Sequence, residues 1–346
     1  MRPYLPPQGA VELLDVLQPQ ARPSRSLQLI SRKDLKLSLP KIATVVGSGT
    51  MGPGIAATLA RAGAEVRVFD ISEEALVRAE ASYGLAVKVL DDLGTRVVDG
   101  GSVSFHTSIA DALAESLLVI EAVPEKIEIK RSVLAQIEAE IAADVIIATN
   151  TSGIPISDMA ATMEHPERFI GMHWSNPPHI IPMIEVIRGD ATDPGVQEQL
   201  VAIVKSFGYE AVVEKEIAGF VENRVLYAIL RECVALLQAG IVSQEALDTC
   251  VKWGIGYKLA VVGPMRLLDM AGLDIYQSVS SYLNKELDNS ADVPAVILEH
   301  TAAGKLGFKS EGGLYSYGPG DVAKTRAAIV DGLVTVRKAL ATTTPV

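Results

Sequence analysis

The stretch that decides the fold is residues 41–70, KIATVVGSGTMGPGIAATLARAGAEVRVFD. Its opening apolar and β-branched residues predict a buried strand. Gly47, Gly49 and Gly52 follow at once, and the apolar residues after them recur at the period of a helix. A second short strand then ends at Asp70. Because strand, glycine turn, helix and strand come in this order, we predict an α/β fold of the Rossmann type, with a doubly wound parallel sheet.

The three glycines have the G-x-G-x-x-G spacing of a dinucleotide-binding turn. In such a turn the first glycine allows the tight bend, the second lets a pyrophosphate approach the main chain, and the third lets helix and strand pack closely. A carboxylate at the end of the second strand accepts a hydrogen bond from a ribose 2′-hydroxyl and repels a 2′-phosphate, so NAD is predicted rather than NADP. The predicted cofactor contacts in this stretch are Gly47, Gly49, Thr50, Met51, Gly52 and Asp70.

Composition limits the class of protein. A chain of 346 residues is long enough for two domains, and its net charge of -11 without a basic stripe disfavours nucleic-acid and membrane partners. Two cysteines, Cys233 and Cys250, support neither a disulfide framework nor a cysteine-rich metal site, so no metal is predicted. The sequence has no long apolar run and no signal-peptide pattern at its start, and we expect a cytoplasmic protein.

The chain divides into three predicted parts. Residues 1–40 are rich in proline and are predicted to form a loosely attached arm, or a segment that packs on a partner subunit. Over residues 41–216 strands and helices alternate, as a dinucleotide-binding domain requires. Residues 217–346 give mainly helical patterns and are predicted to form an all-α second domain. The helices predicted there cover residues 220–238, 243–253, 264–284 and 294–304.

A histidine and a glutamate are the candidate catalytic pair. His173 ends a predicted strand at the carboxyl edge of the sheet, where open α/β folds bind ligands, and the next strand carries Glu185. A carboxylate beside a histidine fixes its tautomer and stabilises its imidazolium form, which is what a general base needs. The alternative is a structural histidine. His179 is a second histidine close by, but it lacks the position at the strand end.

These motifs together resemble the 3-hydroxyacyl-CoA dehydrogenases, over about residues 41–320. The resemblance implies His173 as the base and Glu185 as the acid that orients it, with Ser152 and Asn223 bound to the substrate oxygen. It also implies that the second domain pairs two subunits into a homodimer. The motifs that carry it are Gly47-x-Gly-x-x-Gly52, Asn150-Thr-Ser152, His173-x-x-Asn176-Pro, Glu185-Val, Gly219-Phe-x-x-Asn223-Arg224 and Gly307-x-Lys309-x-x-x-Gly313-x-Tyr315. Three further residues match cofactor contacts of the family, namely Glu125, Lys130 and Lys309.

The sequence departs from the acyl-CoA enzymes in two places. Where those enzymes have a long, lysine-bearing helical hairpin, residues 72–102 predict one ordinary helix with few cations. After the predicted base the chain has Trp174-Ser175, and the turn carries Pro178-His179. It therefore looks similar to a branch of the family that acts on small free carboxylates, including a pyridine-carboxylate aldehyde of vitamin B6 breakdown. The predicted substrate contacts are Ser152, Trp174, Ser175, Asn176, His179 and Asn223.

The predicted activity is an NAD-dependent dehydrogenase in which His173 acts on a small alcohol or on a hydrated aldehyde. The first alternative is the parent 3-hydroxyacyl-CoA dehydrogenase activity, with 3-hydroxybutyryl-CoA as substrate. The second is a non-catalytic NAD-binding relative, which the joint presence of His173, Glu185, Ser152 and Asn223 disfavours.

Overall fold

An eight-stranded sheet forms the first half of this computed structural model, which describes residues 39–343. The strand order is β3-β2-β1-β4-β5-β6-β7-β8, and all neighbouring strands are parallel except β6 and β7, which are antiparallel. The reversal of order beside β1 is that of a doubly wound fold, which confirms the predicted fold class. The strands are β1 (Ile42–Val46), β2 (Glu65–Phe69), β3 (Ser102–His106), β4 (Leu118–Glu121), β5 (Ile146–Thr149), β6 (Phe169–Trp174), β7 (Met183–Arg188) and β8 (Glu210–Lys215).

Helices cover both faces of the sheet. Successive strand residues point to opposite faces, so Val45 packs in the cluster with α1 and α6 while Val46 packs in the cluster with α3, α4 and α5. The single helix predicted after the second strand is confirmed as α2, with the Ser72 hydroxyl accepting from the N–H of Ala75 at its start. The helices are α1 (Gly52–Arg61), α2 (Glu73–Asp92), α3 (Ile109–Leu113), α4 (Ile127–Glu140), α5 (Ile156–Ala160) and α6 (Pro194–Ser206).

The second half of the described chain is helical, as predicted. One predicted helix, over residues 264–284, is in fact two, because Gly272 has φ 97° and ends the first of them. A π-helical turn, Val251–Gly256, extends the predicted helix 243–253. The helices are α7 (Phe220–Gln238), α8 (Gln244–Cys250), α9 (Tyr257–Leu259), α10 (Pro264–Ala271), α11 (Leu273–Leu283), α12 (Ala295–Ala302) and α13 (Asp321–Ala341).

Apart from Leu39 and Pro40, the predicted arm over residues 1–40 lies outside the described residues. Leu39 packs on the sheet cluster and donates its N–H to the hydroxyl of Ser206 at the end of α6. Within residues 39–343, the helices are all too short or too polar to span a bilayer.

A buried ion pair joins β4 to its neighbours beneath the loops of the site. The Lys130 ammonium contacts both Glu121 oxygens at 2.8 and 3.0 Å, and the Thr149 hydroxyl donates to Glu121 at 2.6 Å. Lys130 and Glu121 are both fully buried. The pair therefore locks α4, β4 and β5 together, since neither charge has access to water.

Lys130→Met should lower the free energy of unfolding by about 3–5 kcal/mol, because it leaves the Glu121 carboxylate buried without its partner. Urea denaturation followed by circular dichroism measures the loss. Lys126→Met, at an exposed lysine just before α4, is the matched control and should change stability by no more than about 0.5 kcal/mol. Equal losses in the two variants would contradict the role given to the buried pair.

Candidate active site

The glycine turn between β1 and α1 has the geometry of an anion cradle. Gly47 has φ 112°, and a Cβ there would lie 2.6 Å from the carbonyl oxygen of Ala122. A Cβ at Gly52 would clash with the carbonyl oxygen of Gly47, whereas Gly49 faces open space. The first turn of α1 has no side-chain cap, so its N–H groups are free to bind a phosphate.

Asp70 closes a cleft beside this turn. The cleft holds about 320 Å³, and Ser48, Gly49, Thr50 and Arg78 are among the residues that line it. One carboxylate oxygen of Asp70 accepts from the N–H and hydroxyl of Ser48 at 3.0 and 2.6 Å, which fixes the side chain at the cleft wall. An open cradle for a pyrophosphate next to an oriented carboxylate fits the diphosphate and adenosine ribose of NAD.

His173 and Glu185 face each other across the antiparallel strands β6 and β7. They are register partners, and the His173 Nδ1 lies 2.6 Å from a Glu185 carboxylate oxygen. Both are buried, His173 with 7 % and Glu185 with 1 % of its surface exposed. A carboxylate at Nδ1 places the donor hydrogen there and leaves Nε2 as the basic nitrogen. Sequence and structure therefore agree on the pair and on its orientation.

The first turn of α7 holds the pair from the helical half of the chain. The N–H of Glu222 donates to the second oxygen of Glu185 at 2.7 Å, and the Phe220 ring packs 5.7 Å from the His173 ring. Phe220 is fully buried and has φ 50°, a left-handed conformation that turns the chain into the helix. The site is therefore completed only when α7 meets the edge of the sheet.

A second carboxylate lies beside Glu185 at the same helix start. Glu214 on β8 accepts from the N–H of Val221 at 3.2 and 3.4 Å. Burial and the negative charge of Glu185 raise the pKa of Glu214 to about 7, although the Val221 N–H and His173 act in the opposite direction. Two adjacent N–H groups of α7 thus hold two acids, and Glu214 changes charge near neutral pH.

Ser152 and Asn223 are brought together, as a shared substrate site requires. The Asn223 side-chain amide donates to the carbonyl oxygen of Ser152 at 2.9 Å. Glu125 holds the same loop, since it accepts from the Thr151 hydroxyl at 2.6 Å and from the Ser152 N–H at 2.8 Å. Burial would raise the pKa of Glu125, but Thr151, the positive charge of Lys130 and the Ser152 N–H outweigh it and lower the pKa.

The structure gives two predicted cofactor contacts different surroundings. Lys130 is fully buried and lies 3.3 Å from a Glu125 oxygen as well as on Glu121, so it positions Glu125, and its own contact with the cofactor stays a prediction. Lys309 is exposed between α12 and α13, and its role stays a prediction.

The substrate role predicted for Trp174 is not supported. Trp174 is 1 % exposed, and its ring stacks on Phe207 at 5.7 Å and meets Tyr209 edge-on. The physical reason is strand alternation: His173 points to the face with Phe220, so the next residue along β6 must point into the opposite core. Its N–H donates to the side chain of Asn150, which ties the two strand ends together.

The remaining predicted substrate residues have distinct settings. Ser175 is buried and donates its hydroxyl to Glu222 at 2.7 Å, while Asn176 is exposed after it. His179 lies against Gly54 of α1, and burial together with the positive charge of Arg337 lowers its pKa to about 4. A pKa of about 4 makes the His179 imidazole a weaker base than an ordinary histidine, so it is a poor candidate for the proton acceptor.

Sequence reasoning missed Thr151, Glu214 and Glu222. Thr151 lies inside the motif Asn150-Thr-Ser152, and Glu222 occupies an unspecified position of the Gly219 motif. The signal that could have found them was therefore a polar residue next to a motif residue. Glu214 gave no signal, because an acid on an edge strand normally faces water.

Comparisons with known proteins agree with this geometry. The family model described as 3-hydroxyacyl-CoA dehydrogenase, NAD binding domain, matches residues 42–217, and that of the C-terminal domain matches residues 219–317. The chain is 50% identical over 299 residues to the 5-formyl-3-hydroxy-2-methylpyridine 4-carboxylate 5-dehydrogenase of Mesorhizobium japonicum, covering 86% of this chain and 97% of the relative. It is 36% identical over 281 residues to a probable 3-hydroxybutyryl-CoA dehydrogenase of Bacillus subtilis, covering 79% and 96%.

Solved structures give the same order of similarity. A crystal structure of 5-formyl-3-hydroxy-2-methylpyridine 4-carboxylic acid 5-dehydrogenase, described as an NAD+-dependent dismutase, matches with a TM-score of 0.86 and 49% identity over 88% of this chain and 99% of that one. The (S)-3-hydroxybutyryl-CoA dehydrogenase of Ralstonia eutropha matches with a TM-score of 0.63 and 34% identity, covering 80% and 99%.

The orientation of Asp70 leads to a prediction about the cofactor. NAD should be preferred to NADP by at least about tenfold in kcat/KM, because a 2′-phosphate loses one hydrogen bond and meets a negative charge. Initial rates with both cofactors measure the ratio, and Asp70→Asn should reduce the preference. Equal use of the two cofactors by the unaltered enzyme would contradict the assignment.

The raised pKa of Glu214 leads to a prediction about stability. From its ordinary pKa of 4.5 up to about 7, the folded protein holds a proton at Glu214 that the unfolded chain has lost, so stability falls as pH rises through this window. Glu214→Gln removes this loss. The Tm difference between Glu214→Gln and the unaltered protein should therefore be larger at pH 8 than at pH 5.

The control for this measurement is Glu210→Gln, an equal charge change at an exposed position of the same strand. The Tm difference between Glu210→Gln and the unaltered protein should be the same at pH 5 and at pH 8. If Glu214→Gln also shifts Tm equally at pH 5 and pH 8, Glu214 does not titrate in this window.

Proposed function

The chain belongs to the 3-hydroxyacyl-CoA dehydrogenase family, and from that premise we propose that it oxidises a small, carboxylate-bearing aldehyde in its hydrated form with NAD. A pyridine-carboxylate aldehyde is the substrate class proposed, as the name of the Mesorhizobium japonicum relative indicates for that protein. The observation that carries the proposal is the buried His173–Glu185 pair at 2.6 Å, held by the first turn of α7.

The residues of the cleft fit NAD, which when bound supplies the hydride acceptor at C4 of its nicotinamide. Gly47, Gly49 and Gly52 would hold its diphosphate at the N-terminus of α1, and Asp70 its adenosine ribose. Glu125 would then orient the Ser152 loop on the nicotinamide side, because it accepts from two groups of that loop.

His173 is proposed as the general base. Its Nε2 takes the proton from a substrate hydroxyl while the carbon of that hydroxyl gives up a hydride. Glu185 keeps Nδ1–H oriented and stabilises the imidazolium that forms. Ser152 and Asn223 would bind the same substrate oxygen from the two halves of the chain, since they already lie in contact.

The compact segment after β2 disfavours a substrate that is bound through a CoA group. CoA carries a 3′-phosphate that needs fixed cations outside the dinucleotide cleft. The cations between β2 and β3 are Arg78, Lys88 and Arg96, and Arg78 lines the dinucleotide cleft itself. A small free acid does not need these cations and is therefore the preferred substrate class. The alternative is a 3-hydroxybutyryl-CoA dehydrogenase activity, which is named for a relative of lower identity.

The test of this proposal is NADH formation with a substrate panel. We expect kcat/KM for a pyridine-carboxylate aldehyde to exceed that for free 3-hydroxy acids and for 3-hydroxybutyryl-CoA. His173→Ala should lose about two to four orders of magnitude in kcat, the usual contribution of a positioned base, with NAD affinity unchanged.

His179→Ala is the matched control for the base and should retain turnover, because a ring with a pKa of about 4 that packs against α1 is a poor proton acceptor. A higher kcat/KM for the CoA thioester than for every free acid would contradict the proposal and favour the 3-hydroxyacyl-CoA dehydrogenase activity. Full turnover by His173→Ala would remove the proposed base.

We also propose that the helical domain, starting after Glu216, forms a homodimer. In support, the sheet ends with β8 at Lys215, and in α7 to α13 the only buried residue described is Phe220. Large apolar side chains are instead exposed, more than a monomeric domain normally leaves in water. Among them are Trp253, Met265, Met270, Leu273, Ile275 and Leu298.

Light scattering at micromolar concentration should therefore give twice the monomer mass. Raising the salt concentration should not dissociate the dimer, because salt does not screen contacts between apolar side chains. A monomer mass at this concentration would contradict the proposed assembly.

A further inference from the structure

Glu222 is an acid of the site that the reaction described so far does not use. It lies in the first turn of α7, between Phe220 and Asn223, and its main chain already holds Glu185. One oxygen of its carboxylate accepts the Ser175 hydroxyl at 2.7 Å. Because Ser175 is buried and spends its hydrogen on Glu222, it fixes that side chain and is not free to donate to a substrate.

The other oxygen of Glu222 is buried and has no hydrogen-bond partner among the described residues. A buried, unpaired carboxylate oxygen is costly, so a partner at this position would be strongly bound. A Glu222 oxygen lies within 4.8 Å of a His173 ring nitrogen and of a Glu185 oxygen. The Glu222 carboxylate that carries this acceptor therefore lies beside the His173 imidazole.

We propose that Glu222 binds the second hydroxyl of a hydrated aldehyde while His173 takes the proton of the first. This inference rests on the proposed function. A hydrated aldehyde carries two hydroxyls on the reacting carbon, whereas an alcohol carries one, so only the hydrate needs a second acceptor beside the base. Each hydroxyl-to-acceptor bond spans about 2.7 Å. A carboxylate with an oxygen within 4.8 Å of a His173 ring nitrogen can therefore accept from one hydroxyl of a carbon whose other hydroxyl faces the imidazole.

The proposed step balances as follows. Water adds to the aldehyde and gives the diol. The C–H bond then breaks with its electron pair going as hydride to NAD, the first O–H proton goes to His173, and the carbon–oxygen double bond forms. The second hydroxyl stays on Glu222 as the O–H of the carboxylic acid product, which ionises on release. In sum, aldehyde, water and NAD+ give carboxylate, NADH and two protons.

Glu222 is thus a specificity-determining residue. It favours oxidation of the hydrate over reactions of substrates that carry a single oxygen on the reacting carbon. Reduction of the same aldehyde by NADH needs no second acceptor, because the free aldehyde has one oxygen, which Ser152 and Asn223 bind. The two directions on one aldehyde therefore separate the proposed role from a structural one.

The experiment compares Glu222→Gln with the unaltered enzyme on one pyridine-carboxylate aldehyde, as NAD-dependent oxidation and as NADH-dependent reduction. Oxidation should fall roughly tenfold to a hundredfold in kcat/KM, as expected for a lost hydrogen bond to a charged acceptor, while reduction stays within about threefold. Ser175→Ala, which leaves Glu222 charged but unfixed, should move the ratio in the same direction by less. If circular dichroism shows that Glu222→Gln does not fold, Ser175→Ala tests the proposal in its place.

Glu216→Gln is the matched control, since Glu216 accepts from the Ser157 N–H and has no part in the site. It should leave the oxidation-to-reduction ratio unchanged. An equal fall in both directions for Glu222→Gln, or an unchanged ratio, would overturn the inference. Loss of both activities on treating the unaltered enzyme with EDTA would overturn it too, because the cluster would then be holding a metal ion. Absence of aldehyde oxidation in the unaltered enzyme would instead refute the proposed function.

Discussion

The hydrogen bond from the main chain of Glu222 to Glu185 is the contact on which the site depends. It fixes the carboxylate that orients His173, and it comes from the start of α7, outside the sheet. The neighbouring N–H of Val221 holds Glu214 in the same way. The turn at Phe220 therefore couples the docking of the helical half to the formation of the base.

This arrangement concentrates negative charge around one imidazole. Glu185, Glu214 and Glu222 come from two strands and a helix and meet around His173. Burial first, and then the neighbouring charge of Glu185, raise the pKa of Glu214.

Much of the fold and part of the site could be predicted from the sequence. The glycine turn, the strand order along the chain and the His173–Glu185 pair follow from local patterns, since both residues lie on predicted strands that must adjoin. The predicted helix over 264–284 and the substrate role of Trp174 failed for local reasons as well. A single glycine ended the helix, and strand alternation turned the Trp174 ring into the core.

The sequence by itself determined the chemistry of the dinucleotide cleft, because its glycine turn and its carboxylate lie within residues 41–70 and depend on residue type and spacing. Only the tertiary structure decided which polar residues join His173. Ser175 and Glu222 are far apart in sequence, yet they share a hydrogen bond at 2.7 Å because α7 packs against the end of β6. Lys130 shows the same limit: the family resemblance implied a cofactor contact, and only the packing of α4 showed that its ammonium is buried on Glu121. Spacing along the chain fixes what a local segment can bind, whereas contact between distant segments depends on how the layers pack.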